Sequence, residues 1–257
     1  MKNFIIIGAI SMALFSCSQP EPKAEEATGQ DFIGSIIQDS TRVSFNVHLE
    51  ENVLTFYNGV QESFNVTLSG EDTLRGTFPV FASDLWLLPS EHGYEGKYFR
   101  TDAKDYELKL ILTRGDYSIP ATTEDPPVQY AIFRDYGSGT IRPALLQLGL
   151  EDNTLVGTIA TATGDSRFLS GYTVDEGGFI LQGFDGRFIY HVEASTRGDS
   201  IFGQVWSGKN GYYRFKGVAD DHATLEDPEE MSKLREDYTH IEWHLPGLDG
   251  DTVHFDS

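Results

Sequence analysis

The chain has 257 residues and a formal net charge of −21, so it lacks the clustered Lys and Arg through which nucleic acid and anionic bilayers are bound. Its 39% hydrophobic and 12% aromatic content is enough to bury a sizeable core in one domain or two. With one cysteine, the chain can form neither an internal disulfide nor a CxxC redox pair.

That cysteine stands at the end of a leader-like segment. Met1-Lys2-Asn3 is a short positive start, and Phe4 to Phe15 is apolar but too short to span a bilayer comfortably. Leu14-Phe15-Ser16-Cys17 resembles a bacterial lipobox. The resemblance implies a signal peptide over 1–16 and acylation at Cys17, with several hydrocarbon chains holding the protein to the membrane. Ser18, rather than Asp, after the cysteine points to the cell envelope on the periplasmic side of the outer membrane. Residues 17–30 carry Glu, Pro, Lys, Ala, Thr and Gly without apolar periodicity, the composition of a flexible tether.

From Asp31 onward the pattern is that of an all-β protein. Val43, Phe45, Val47 and Leu49 alternate with polar residues, and Val53–Tyr57 alternates again. Asn58-Gly59 is a strong two-residue hairpin signal and leads into 61–68. Segments 74–78, 84–88, 94–99 and 107–112 follow, completing a first meander half over 31–120. Between Arg114 and Pro127 the alternation lapses, and Pro126-Pro127 is unfit for a central strand. A second half over 121–222 resumes with 128–133 and 141–150 and continues as hairpins to Val218.

One template recurs through both halves. Asp72-Thr73-Leu74-Arg75-Gly76-Thr77-Phe78, Asn153-Thr154-Leu155-Val156-Gly157-Thr158-Ile159 and Asp199-Ser200-Ile201-Phe202-Gly203-Gln204-Val205 share a turn pair followed by alternating apolar positions. The shared glycine falls on the apolar face, where it leaves room for a neighbour. The expected architecture is antiparallel meanders forming one large or two smaller barrel or sandwich units. A single short helix is predicted after Asp227, where Asp227-Pro228-Glu229-Glu230 has the form of a capping box.

Residues 153 to 257 resemble the region preceding the catalytic domain in bacterial thioredoxin-like disulfide reductases of the TlpA/peroxiredoxin-like group. The matching pieces are Thr163-Gly164-Asp165-Ser166-Arg167-Phe168-Leu169-Ser170-Gly171, Phe184-Asp185-Gly186, Phe202-Gly203-Gln204-Val205-Trp206-Ser207-Gly208 and Leu245-Pro246-Gly247-Leu248-Asp249-Gly250-Asp251-Thr252-Val253. The last piece is similar to the opening strand of that family's thioredoxin fold, which makes 223–257 a linker helix and the start of such a domain. In that family a W-C-x-x-C motif follows, and no residue here can take its role. The resemblance therefore implies a non-catalytic accessory domain of an envelope disulfide reductase, with a thioredoxin-like domain in cis or trans, or a client protein, as partner.

Other candidate sites are sparse. His240, Glu242 and His244 fall on one face of a predicted strand, as metal ligands could, but a polar outer face opposite Ile241, Trp243 and Leu245 is the commoner reason for such a pattern. No catalytic residue, metal site or cofactor follows from the pattern. Trp86, Phe184, Phe188, Tyr190 and Trp206 are the aromatic residues that could line a barrel interior, with Phe184, Phe188, Tyr190 and Trp206 marking an apolar ligand pocket. That pocket would belong to a stand-alone, lipocalin-like binding module, the alternative to the accessory domain.

Overall fold

The computed structural model describes residues 29–122, 126–227, 242–246 and 252–256. The leader, Cys17 and the predicted helix after Asp227 lie outside the described residues. The first eight strands are β1 (Gln30–Gln38), β2 (Thr41–Glu50), β3 (Val53–Asn58), β4 (Glu62–Ser69), β5 (Leu74–Thr77), β6 (Ser83–Ser90), β7 (Gly93–Arg100) and β8 (Glu107–Arg114). Each pairs antiparallel with the next, and β1 also pairs with β8, so the sheet closes into an up-and-down barrel. Period-two alternation makes that closure favourable: Val43, Phe45 and Val47 of β2 point inward beside Leu54 and Phe56 of β3.

The strand that closes this barrel is one the alternation does not predict. The pattern shows no strand before Val43, yet Phe32, Gly34, Ile36 and Gln38 of β1 point into the barrel. On its other face Ser35 is 4% exposed and Ile33 and Ile37 are partly covered. A strand sheltered on both faces loses its polar half, and with it the period of two.

The remaining strands are β9 (Gln129–Asp135), β10 (Ile141–Glu151), β11 (Thr154–Thr161), the two-residue β12 (Gly164–Asp165), β13 (Leu169–Val174), β14 (Gly178–Phe184), β15 (Ile189–Arg197), β16 (Ser200–Ser207) and β17 (Gly211–Ala219). They pair in chain order, with β12 appended to the edge of β11. The β10–β11 and β17–β9 pairings close a second barrel. The architecture is therefore all-β, as the alternation predicts, and takes the form of two consecutive closed barrels. One turn of 3-10 helix, Asp175–Gly177, joins β13 to β14. A further pair, β18 (Glu242–Pro246) and β19 (Thr252–Asp256), forms a separate two-stranded sheet.

The recurring template opens β5, β11 and β16, and its glycine faces inward each time. A Cβ on Gly203 would lie 2.3 Å from Cζ of Phe215; on Gly157, 2.6 Å from the Gln147 carbonyl oxygen; on Gly76, 2.4 Å from Cγ1 of Val66. The room each glycine leaves is taken by its neighbouring strand: the Phe215 ring at Gly203, the Val66 side chain at Gly76 and the β10 backbone at Gly157. Replacing Gly203 or Gly157 with Val should lower stability by about 1–3 kcal/mol through overpacking. Urea denaturation measures this, and unchanged midpoints would mean the opposing side chains move aside at no cost.

Candidate functional site

Barrel interiors need sealed ends, and at one end of the first barrel the seal comes from the second. Four inward-facing polar side chains rim that mouth: Gln38 at the end of β1, Asn58 at the end of β3, Ser83 at the start of β6 and Tyr98 near the end of β7. All are nearly or fully buried, so each needs a hydrogen-bonding partner. The partners are backbone groups of the second barrel. Ser83 Oγ donates to the Gly186 carbonyl at 2.8 Å, and Tyr98 Oη to the Gly186 and Arg187 carbonyls at 3.2 Å each. Gln38 Nε2 donates to the Gly208 carbonyl at 2.7 Å. Asn58 donates to the Phe168 carbonyl at 3.2 Å and accepts from the Phe184 N–H at 3.0 Å.

Between these groups Phe184, the last residue of β14, enters the first barrel. Its ring meets Phe45, Phe56, Phe64, Phe78 and Tyr98 at centroid distances of 5.1 to 6.0 Å, and only 2% of the residue is exposed. The loop that presents it is shaped locally. Asp185 Oδ1 accepts from the Arg187 and Phe188 N–H groups at 3.0 and 2.7 Å, an Asx-type turn. Gly186 has φ +96, and a Cβ there would lie 2.9 Å from Phe78, so both conformation and space require glycine.

Charged and polar clamps flank the plug. Arg187 and Arg100 both bind Asp102, at 2.8 and 3.0 Å, and these two guanidiniums hold its carboxyl down to about 2. Arg167 reaches Glu62 at 3.0 Å and Asp185 at 3.5 Å. Along the sides, Gln182 of β14 pairs with the backbone of β2: Oε1 accepts from the Ser44 N–H at 3.1 Å and Nε2 donates to the Arg42 carbonyl at 2.6 Å. Those two bonds fix the amide orientation, so its remaining hydrogen points to Nδ1 of His191 at 2.8 Å. The imidazole is thereby set as acceptor at Nδ1 and donor at Nε2, the latter toward Glu193 at 3.0 Å. Burial raises the Glu193 carboxyl, but hydrogen bonds from Gln204 and His191 outweigh it and leave the group below its ordinary value.

The four aromatics expected to line one pocket do not surround a common cavity. Strand alternation parts them: Phe184 points out of the second barrel and into the first, Tyr190 points into the second, and Trp206 lies outside both against His191 and Tyr212. Phe188 sits in the loop, 45% exposed, stacked 6.4 Å from Tyr190. Beside Phe184, a space of about 20 Å³ lined by residues of both barrels has room for one water. Asn58 was legible in the sequence as a turn residue, but Gln38, Ser83 and Tyr98 carry no local signal of their interface role. Among the described residues no group of three or more His, Cys, Asp or Glu could hold a metal. His240 lies outside the described residues, while Glu242 and His244 belong to β18.

No protein-family model matches the chain, and no curated protein matches it. Among solved structures, a protein with unknown function from the DUF3598 family of Nostoc punctiforme PCC 73102 is similar at 10% identity, covering 74% of this chain and 94% of that one, with a TM-score of 0.26. At that level neither fold nor function carries over.

Two measurements test the junction. Phe184→Ala should cost about 3–5 kcal/mol, as for a large buried aromatic, and should separate the unfolding of the two barrels into distinct calorimetric transitions. A single transition at the parent temperature would show that the plug does not couple them. Burial raises the Tyr98 and Tyr213 phenols above the ordinary value near 10. A phenol raised on folding contributes stability that is fully present below the unfolded value and lost as pH climbs through the folded one. Ultraviolet titration should therefore show these two tyrosines ionising only as the protein unfolds above pH ~10; full, reversible ionisation of every tyrosine in the folded protein would contradict this.

Proposed function

We propose that this chain is the non-catalytic accessory part of a cell-envelope thioredoxin-like lipoprotein, tethered through Cys17 and holding a redox domain or its client at a set distance from the membrane. The observation that carries this reading is the β18–β19 hairpin. Leu245, Pro246, Thr252 and Val253 of its strands belong to the stretch that resembles the opening of a thioredoxin-like domain, with Leu245 opposite Val253 and Trp243 opposite Phe255. Among the described residues it pairs with no strand of either barrel. A lone two-stranded hairpin is marginal in water and gains stability by packing on a larger fold. Two barrels joined by a buried plug and ion-pair clamps suit the role of a stiff spacer. The mouth of the first barrel holds Phe184 where a small ligand would otherwise enter.

Amide exchange tests the reading. Hydrogens of β18 and β19 should exchange rapidly in this chain alone and become protected when a W-C-x-x-C domain encoded in frame or alongside is added. The chain by itself should not reduce insulin, and Cys17→Ala should move it out of the membrane fraction. Strong protection of the hairpin without any added domain, or retention of the Cys17→Ala variant in the membrane, would sink the proposal.

A further inference from the structure

A second surface, outside the plug, has the make-up of a ligand site, and one end of it adjoins the junction through Arg100 and Lys209. On the outer face of the first barrel, Ser69, Arg75, Trp86, Lys97 and Lys109 lie in register across β4 to β8. The adjoining row is Thr77, Asp84, Phe99 and Glu107. Five strands at the usual spacing make a strip about 19 Å long. Trp86 stands at its centre, 45% exposed, with Phe99 meeting it at 5.0 Å and 75° and the Arg75 guanidinium 5.1 Å from its ring centre. The Arg75 guanidinium lies over the indole and Phe99 meets it edge to face, contacts that restrain the ring before any ligand arrives and so lower the entropy cost of binding.

Clefts of about 420 and 570 Å³ flank this pair, and both are lined by Trp86 and Phe99. One opens beside Lys97, Arg100, Tyr106 and Glu107, the other beside Asn65, Thr67, Arg75 and Asp84. Both volumes fall within the range of small-ligand sites. The charges along the strip are largely paired: Lys97 with Glu107 and Lys109 with Glu95, each at 2.9 Å. Neither Arg75 nor Asp84 has an ion-pair partner among the described residues.

We infer that this strip binds a neutral carbohydrate chain, a function beyond the spacer role proposed above. An exposed aromatic ring attracts the C–H face of a sugar through its negative π-face. The unpaired guanidinium and carboxylate beside it supply a donor and an acceptor for sugar hydroxyls, as charge-assisted hydrogen bonds. The paired lysines leave little net positive charge for nucleic acid or anionic lipid, and the whole molecule at −21 repels both. The clefts are too polar for a greasy protein hot spot, whose centre is fully desolvated. The length and openness of the strip fit several successive sugar rings better than a single enclosed one.

Affinity electrophoresis through native gels containing a neutral β-glucan, a mannan, a xylan or acidic polygalacturonate tests the inference. At least one neutral polysaccharide should retard the parent protein. Trp86→Ala should weaken that retardation at least tenfold and Asp84→Ala severalfold, whereas Trp206→Ala should leave it unchanged. Far-UV circular dichroism of each variant reports whether it is folded; if Trp86→Ala is not, Trp86→Phe and Asp84→Ala decide. Retardation by no neutral polysaccharide, retardation by polygalacturonate alone, or equal retardation of the folded strip variants and the parent would overturn it.

Discussion

Phe184 is donated by one barrel to the core of the other, and most of what distinguishes this structure follows from that contact. An eight-stranded barrel is wide enough that side chains alone must fill it, and its open ends expose the last inward-facing residues to water. Here one end is closed by a foreign ring and by a loop whose carbonyls satisfy Ser83 and Tyr98. Ile189, from the strand after the plug, also belongs to the first core at 1% exposure. The first barrel's interior is thus complete only with residues numbered beyond 180, so the two halves of the chain share one hydrophobic unit at their junction.

Sealing the mouth this way determines where chemistry can happen. Most buried polar side chains are satisfied by backbone groups, and at this junction they meet backbone groups of the same chain. Gln38, Asn58, Ser83 and Tyr98 are committed to structure, and removing a partner would leave a buried group unsatisfied at a cost of about 1–3 kcal/mol. The Gln182–His191–Glu193 chain serves the same end along the side of the interface, where an amide held by two backbone groups of β2 sets the histidine tautomer. What remains for recognition is the outside of the barrels, where Trp86 and Phe99 stand between polar clefts and where the charge balance differs from the acidic average.

The outer faces also show how an acidic protein can keep a locally neutral patch. Lys97, Lys109, Arg100 and Arg187 each meet a carboxylate across strands or loops. Exposed pairs of this kind contribute little stability. Their larger effect is on the field, which they flatten around the aromatic strip while the rest of the surface repels anions.

The alternation of apolar and polar residues in Val43–Leu49, the Asn58-Gly59 turn and the thrice-used glycine template determined an antiparallel all-β fold without reference to any long-range contact. Those signals are local: side-chain period, turn chemistry and the space a glycine leaves are properties of adjacent residues. The aromatic residues Phe184, Phe188, Tyr190 and Trp206 were equally visible, but nothing local says which barrel a ring enters. Closure was hidden for the same reason, since β1 meets β8 across most of the first half and its sheltered outer face erases the period of two. Only the tertiary structure decided that Phe184 leaves its own barrel to fill another, because that choice depends on the register of strands more than a hundred residues apart and on the polar rim they bring together.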